Sequence, residues 1–256
     1  MIRKGIITLV VIISLVDFIV AQTDSQGKNI VYTKENDMGL TIGSNGLGLM
    51  YRIGTIEDIY KSWFWEFELL EMKHPTEYKQ KNEDISGAKS FAYGKQNSLY
   101  VLRIGRIHSD LIFRKAEMNG VRVSYTYGGG ISIGVLKPYY LNVLYPTIYP
   151  GYYEVITERY NPDQPIEDQE FMNWYAIYGS AGFKYGITEL DVLPGIYAKA
   201  GLQFEFGEYL DVVKAIEVGA SLDAYPKRVP IMIKEENRFL FLSLYISLQI
   251  GSRKVH

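Results

Sequence analysis

The chain has 256 residues, a length that suits a single domain. Hydrophobic residues make up 47% of it and the mean hydropathy is −0.06, which is too polar for a protein with several membrane-spanning helices. A formal net charge of −2 offers no basic excess for nucleic acid, and the absence of cysteine excludes disulfides, thiolate metal sites, cysteine catalysis and a lipid anchor on cysteine.

The N-terminus has the organisation of an export signal. Arg3 and Lys4 precede a mostly apolar run, Gly5–Val16, which is too short to cross a bilayer because a spanning helix needs about 20 apolar residues. We predict a cleaved signal peptide at residues 1–21, with a retained anchor as the alternative, since Asp17 departs from the usual pattern. Cleavage removes two basic residues and one acidic residue, which leaves 25 and 28, a balance of −3.

From residue 40 onward, apolar and polar residues alternate with a period of two, which indicates β-strands. We predict eight strands, with ten as the alternative. In chain order they are Leu40–Ile53, Trp63–Leu69, Leu99–Ile107, Val121–Val135, Tyr139–Ile156, Gly195–Gly207, Lys214–Ala224 and Phe239–Ile250. The fifth, a Tyr-rich segment after Pro138, has the least regular pattern.

The first of these segments contains Asn45 and Gly46, a pair typical of tight hairpin turns. We favour one bulged strand over Leu40–Ile53, with two short strands as the alternative. With one strand here, the polar connection at residues 76–96 falls on the opposite side of the wall from the later loops at 157–169 and 226–236.

The last strand has the clearest pattern. Six apolar residues on one face span 11 residues from end to end, which matches the ~9–11 residues that a tilted strand needs to cross a bilayer. They are Leu240, Leu242, Leu244, Ile246, Leu248 and Ile250. The opposite face carries Ser243, Ser247 and Gln249 among aromatic residues.

Alternation alone does not distinguish a membrane barrel from a soluble one, because only the direction of the apolar face differs. Three features favour the membrane: long apolar faces that are almost free of charge, polar faces rich in Gly, Ser and Thr, and the predicted export. We therefore predict one all-β domain, an antiparallel transmembrane β-barrel of the outer membrane at residues 38–253, after an N-terminal extension at 22–37. A secreted lipocalin-like barrel and a periplasmic sandwich are the alternatives.

Several segments also carry a resemblance to a known group. These are Asn45–Gly48, Lys73–Pro75, Ser90–Asn97, Leu136–Leu141, Ala215–Gly219 and Pro230–Met232. They resemble an uncharacterised group of outer-membrane β-barrel proteins from the Bacteroidota, and more loosely the small barrels that accompany type IX secretion. The resemblance implies fold and location, and it carries no catalytic residues.

Two sets of residues are candidate sites. The inward faces are predicted to carry a polar network in the lumen, packed as ion pairs because an isolated buried charge is costly. Its members are Glu66, Glu68, Arg103, Arg122, Lys199, Glu205, Glu217 and Asp223. The outward faces are predicted to carry part of an aromatic girdle at a membrane interface, formed by Trp63, Trp65, Tyr125 and Tyr127.

Catalytic and metal chemistry have little support in the sequence. His108 precedes Ser109, but adjacent strand residues point to opposite faces and so would not meet as a nucleophile and its base. Gly128–Gly130 lacks the lysine and helix of a phosphate loop. We expect no enzyme, no metal and no cofactor.

An eight-stranded barrel has an interior that side chains just fill. We therefore predict a non-enzymatic scaffold or accessory subunit of an outer-membrane assembly. Its expected partners are outer-membrane lipid and an outer-membrane protein complex, with no nucleic acid. A narrow transport barrel is the alternative, and an outer-membrane hydrolase comes third.

Overall fold

The computed structural model describes residues 32–58, 60–114, 120–149, 151–206, 211–234 and 236–255. Within them the chain forms thirteen β-strands: β1 (Lys34–Gly43), β2 (Gly46–Ile56), β3 (Lys61–Met72), β4 (Lys79–Gln80), β5 (Phe91–Ala92), β6 (Asn97–Phe113), β7 (Arg122–Pro138), β8 (Tyr140–Pro146), β9 (Tyr153–Arg159), β10 (Ile177–Ser180), β11 (Asp191–Phe206), β12 (Val212–Ala224) and β13 (Leu240–Lys254). Three short 3-10 helices are Ile166–Asp168, Glu170–Met172 and Trp174–Ala176. The predicted signal peptide lies outside the described residues, and β1 begins within the predicted N-terminal extension.

Eight of the strands close into an antiparallel barrel in the order β1, β13, β12, β11, β7, β6, β3, β2. The predicted all-β, eight-stranded antiparallel barrel is therefore confirmed. Following the paired residues once round the wall from Met38 leads from Ile250 to Leu240 on β13, a stagger of ten residues. A stagger of this size tilts the strands by about 40° from the barrel axis.

The barrel has two unlike ends. The turn end holds the start of β1, the end of β13 and three short connections at residues 57–60, 114–121 and 207–211. The loop end holds the tight turn at residues 44–45 and three long connections at residues 73–96, 139–190 and 225–239. All three long connections thus leave the wall at the same end.

The prediction of one strand over Leu40–Ile53 is wrong, because the segment folds as the β1–β2 hairpin. The Asn45 side-chain amide donates to the Leu242 carbonyl over 2.8 Å and so ties the turn to β13. Gly46 has no room for a side chain, since a Cβ there would overlap the Glu71 carbonyl oxygen. The added strand also moves residues 76–96 to the side of the later loops, opposite to the prediction.

The predicted barrel strand Tyr139–Ile156 is also wrong. This segment contains β8 and the start of β9, which form a separate three-stranded sheet with β10, in the order β10, β8, β9. We call it the outer sheet. The predicted total of eight barrel strands is nevertheless right, because the hairpin at the start of the barrel supplies the strand that this segment does not.

The wall alternates as the sequence predicts, with apolar residues facing outward. On β13, Leu242 and Leu244 are each 65% exposed, whereas Phe241 and Tyr245 point inward and are buried. The same alternation holds on β11, where Ile196 is exposed and Lys199 is buried. No helix in the described ranges is long and apolar enough to cross a membrane.

Two apolar clusters occupy the loop end. One fills the loop-end portion of the barrel and includes Val229 and Ile231, which the connection at 225–239 brings over the strands, and Leu99, Leu136 and Phe241 from the wall. The other is the core beneath the outer sheet, where Leu141, Val143 and Ile177 pack against Phe91 and Phe171. Apolar packing therefore closes the lumen at this end.

Candidate functional site

The lumen holds three layers of ion pairs. The middle layer is centred on Arg52, whose Nε lies 2.6 Å from Glu66 Oε2 and whose Nη1 lies 2.8 Å from Glu217 Oε2. Lys199 Nζ lies 3.1 Å from Glu66 Oε1 and so balances the second carboxylate charge. The Tyr245 hydroxyl donates to Glu217 over 2.6 Å. These five side chains are all buried, and each charge has an opposite charge in contact, as a low-dielectric interior requires.

The second layer lies nearer the loop end and is centred on Arg103. Its Nη1 lies 2.7 Å from Glu68 Oε2, and its Nε and Nη2 both donate to the Asp223 carboxylate. Ser132 Oγ donates to the same carboxylate over 3.1 Å. The planar guanidinium therefore joins β3, β6 and β12 through two fixed directions at once, which an ammonium group could not do.

The third layer closes the turn end. Arg253 Nε lies 2.6 Å from Glu35 Oε2, and its Nη2 lies 2.6 Å from Glu205 Oε2. Arg122 stands 3.9 Å from Glu205 and is partly exposed. Between this layer and the middle one lies Asp37, which is 1% exposed and whose carboxylate oxygens accept no hydrogen bond from the described residues.

A small cavity borders the layer around Arg103 on its loop-end side. This cavity of about 20 Å³, lined in part by Thr41, Arg103 and Ser221, has room for about one water molecule. Within the described parts of the chain, no group of three or more His, Asp or Glu side chains is arranged to hold a metal ion. The charged side chains of the described residues thus pair with one another across the lumen.

All eight residues of the predicted lumen network lie in these layers. Glu66, Lys199 and Glu217 meet in the middle layer, Glu68, Arg103 and Asp223 meet nearer the loop end, and Arg122 and Glu205 lie at the turn end. Sequence reasoning did not pair them, because alternation gives the face of a residue but not its partner across the lumen.

Sequence reasoning missed other members of the network: Glu35, Asp37, Arg52, Gln249 and Arg253. The outward residues Leu49, Tyr51 and Ile53 of β2 already alternate in the sequence. That alternation puts Arg52 on the inward face, so it was a usable signal. Glu35 and Asp37 were missed because they lie in the segment that was predicted to be an N-terminal extension.

The four residues of the predicted aromatic girdle lie on the outer wall near the turn end. Trp65, Tyr125 and Tyr127 are exposed, and Trp63 is half-buried beneath Arg106, whose guanidinium carbon lies 4.4 Å from its ring centroid. Their membrane contact stays a prediction.

His108 is outward, stacked on the Tyr127 ring with centroids 5.6 Å apart, whereas Ser109 is buried on the inward side. The two do not form the nucleophile–base pair of a hydrolase.

The outer sheet carries a second group of titratable side chains. The Tyr145 hydroxyl on β8 donates to Glu158 Oε2 on β9 over 2.8 Å. Burial, together with this hydrogen bond, raises the pKa of Tyr145 to about 12. Burial also raises the pKa of Glu158, and the nearby carboxylate of Glu170 raises it further, while the bond from Tyr145 opposes both.

The fold and its interior together define a closed antiparallel β-barrel that is filled with paired charges. No family model and no curated protein matches the sequence. Solved barrels are similar in outline. Neisserial surface protein A is 7% identical, with 87% of this chain and 97% of that chain covered and a TM-score of 0.40. Ail, the attachment invasion locus protein of Yersinia pestis, is 10% identical, with 88% and 100% covered and a TM-score of 0.38.

Proposed function

We propose that the chain is an integral outer-membrane β-barrel that anchors its loop-end segments at the cell surface as part of a larger assembly. The observation that carries the proposal is the inverted polarity of the wall. Charged residues such as Arg52 and Glu217 are buried inside, while leucines such as Leu242 and Leu244 are exposed outside. In water such a wall would expose a continuous apolar surface, but in a bilayer it matches the acyl chains.

The two ends support an orientation. Membrane barrels of this type have short periplasmic turns and longer external loops. On that basis the turn end, with the start of β1 and the end of β13, faces the periplasm, and the outer sheet faces the exterior. The Bacteroidota resemblance and the predicted signal peptide agree with this arrangement and belong to the same proposal.

A filled lumen favours an anchor over a transporter. The ion pairs of Arg52, Arg103 and Arg253 cross the barrel at three levels, and apolar packing closes the loop end. Opening a path would break several buried pairs together, each of which leaves an uncompensated charge costing about 3–5 kcal/mol.

The test combines membrane insertion with conductance. The full-length protein, expressed with its own N-terminus, is expected to fractionate with outer membranes and to migrate differently on gels before and after boiling, as closed barrels do. The purified protein, reconstituted into planar bilayers, is expected to give no reproducible channels. A water-soluble product would contradict the location, and reproducible open channels would replace the anchor with the transport alternative.

A further inference from the structure

Strand β9 forms an unpaired edge of the outer sheet. It pairs with β8 on one side, and none of the described residues pairs with its other side. The backbone N–H of Thr147 donates to the Tyr152 carbonyl over 3.0 Å, just beyond the last strand pair. Because hydrogen-bonding direction alternates along an antiparallel strand, the amide groups of Tyr153, Val155 and Thr157 point away from β8.

No proline or bulge interrupts this edge, and β9 pairs with β8 in unbroken register over seven residues. Among the features that blunt natural strand edges, β9 carries charged side chains, namely Glu154, Glu158 and Arg159, which discourage pairing with strands of like charge. Tyr153 is 63% exposed and Val155 is 50% exposed. The edge therefore offers both free backbone groups and apolar side chains to an extended chain.

One face of β9 is acidic. It lies on the same side of the outer sheet as the buried side chains of β8. Glu154 is paired with Tyr145 and Glu158 with Leu141, so the two glutamates share one face with Ile156 between them. Oε1 of Glu158 is buried and has no hydrogen-bond partner among the described residues. Neither glutamate forms an ion pair with any residue that the structure describes.

The surrounding segment has the same sign. Residues 139–190 contain seven acidic residues and two basic ones. One of the two, Arg159, is already paired with Glu189. This excess of acidic residues makes the segment complementary to a positively charged partner.

We infer that β9 is the docking edge for an extended basic segment of a partner protein, which adds to the outer sheet as a fourth strand. Strand addition supplies backbone hydrogen bonds, and alternate side chains supply specificity. On the acidic face, the partner segment is expected to carry a basic, an apolar and a basic residue at every second position, opposite Glu158, Ile156 and Glu154 respectively. The inference deepens the proposed function, since it names the partner class of the external segments.

A second copy of the chain fits this edge less well. In the antiparallel arrangement that is two-fold about Ile156, Glu154 of one copy lies opposite Glu158 of the other on the same face. Like charges directly opposite each other destabilise a strand pair. This centred pairing of two copies is therefore disfavoured relative to pairing with a basic segment.

The probe is a fluorescein-labelled peptide of alternating sequence, Tyr-Lys-Val-Val-Thr-Lys-Tyr, whose two lysines share a face with the central valine. It is titrated against the full-length protein in phosphatidylcholine nanodiscs, with empty nanodiscs as the blank, and fluorescence anisotropy is measured. We expect saturable binding that weakens with salt. The same peptide with glutamate in place of both lysines is expected not to bind.

Two peptide isomers separate strand addition from simple charge attraction on the unmodified protein. N-methyl groups on the third and fifth residues block the amides that face β9 in an antiparallel fourth strand, so affinity is expected to fall at least about tenfold. N-methyl groups on the second and fourth residues face away and leave the affinity largely unchanged. Equal affinity of the two isomers would overturn the inference.

Protein variants give the matching result from the other side. The variant Glu154→Gln/Glu158→Gln is expected to bind the lysine peptide with an affinity lower by at least about tenfold. The charge-matched control Glu167→Gln/Asp168→Asn is expected to leave that affinity unchanged. Val155→Pro removes an outward-facing N–H without breaking a hydrogen bond to β8, so it is expected to weaken peptide binding. Val155→Thr keeps that N–H and is the control. Intact barrels that bind no lysine peptide, or that dimerise through β9 instead, would overturn the docking inference and leave the membrane proposal standing.

Discussion

Arg52 and Glu66 are direct cross-strand partners on β2 and β3, and their side chains meet inside the barrel with Nε 2.6 Å from Oε2. Both side chains are at most 1% exposed. Glu217 reaches the same guanidinium from β12, on the far side of the lumen. Arg52 therefore connects its own strand to the neighbouring strand β3 through Glu66, and to the opposite wall through Glu217.

Replacing Arg52 with Met is expected to destabilise the barrel by about 3–5 kcal/mol, because Glu66 and Glu217 are then buried with only Lys199 to balance them. The measurement is equilibrium unfolding in lipid bilayers with urea. The double variant Arg52→Met/Glu217→Gln removes one charge of each sign and is expected to recover part of the loss. The control Arg159→Met removes an exposed arginine and is expected to change stability by less than about 1 kcal/mol. Equal effects of the two single variants would contradict the network.

The Arg103→Lys variant tests geometry at constant charge. Arginine donates to Glu68 and to both Asp223 oxygens at once, whereas a lysine ammonium is a single point and would leave one carboxylate poorly paired. We expect a loss of about 2 kcal/mol, in the range of one hydrogen bond to a charged group. Lys199→Arg is the converse control, and a variant Arg103→Lys as stable as the unmodified chain would show that charge alone is sufficient.

The faces of the barrel were predictable from sequence, because the side-chain period of a strand is two and the wall has a single apolar side. The alternate residues from Leu240 to Ile250 that the pattern assigns to the apolar face do point outward. Strand boundaries depend on turns, and there the same pattern fails. A hairpin at Asn45 and a bulged strand give the same alternation, so one strand was predicted where two exist.

Partners across the lumen were not predictable for a related reason. Arg103 and Asp223 are 120 residues apart, and they meet only because the ten-residue stagger brings their levels together. Val229 and Ile231 lie in a segment without periodicity, so their place in the apolar cluster depends on where the loop folds. The outer sheet likewise arises from contacts between distant segments.

A lysine introduced on the outer wall tests whether lipid or water surrounds the barrel. Leu244 lies on the outward face of β13, and we expect Leu244→Lys to destabilise the barrel by about 2–4 kcal/mol in a bilayer. Ser252→Lys, outward on the same strand near the turn end, is expected to cost about 0–1 kcal/mol because it lies near the interface. Urea unfolding in bilayers measures both. A near-zero effect at both positions would mean that water, and not lipid, covers the wall.

Tryptophan depth tests the girdle. Trp65 is 47% exposed on the outer wall, so in vesicles of lipids brominated on their acyl chains its fluorescence is expected to be strongly quenched. The variant Trp63→Phe/Trp174→Phe retains this tryptophan alone. The matched variant Trp63→Phe/Trp65→Phe retains Trp174, which packs against Phe91 and Tyr93 beneath the outer sheet, and its fluorescence is expected to be unaffected. Equal quenching would contradict the girdle.

The outer sheet is expected to become less stable as pH rises through the acid range. The folded sheet raises the pKa of Glu158, chiefly by burial, so the folded state binds more protons than the unfolded state between the two pKa values. Stability therefore falls as pH rises through that window and stays lower above it. Below the unfolded-state pKa both states are protonated and no difference remains.

Amide hydrogen exchange of β8 and β9, corrected for intrinsic exchange at each pH, measures this trend. The variant Glu158→Gln is expected to flatten it, because the amide does not ionise and Tyr145 can still donate to its oxygen. The variant Glu167→Gln changes an exposed carboxylate of the same segment and is expected to leave the trend intact. If both variants retain the same pH dependence, another group titrates in the outer sheet and the buried carboxylate on β9 is not its source.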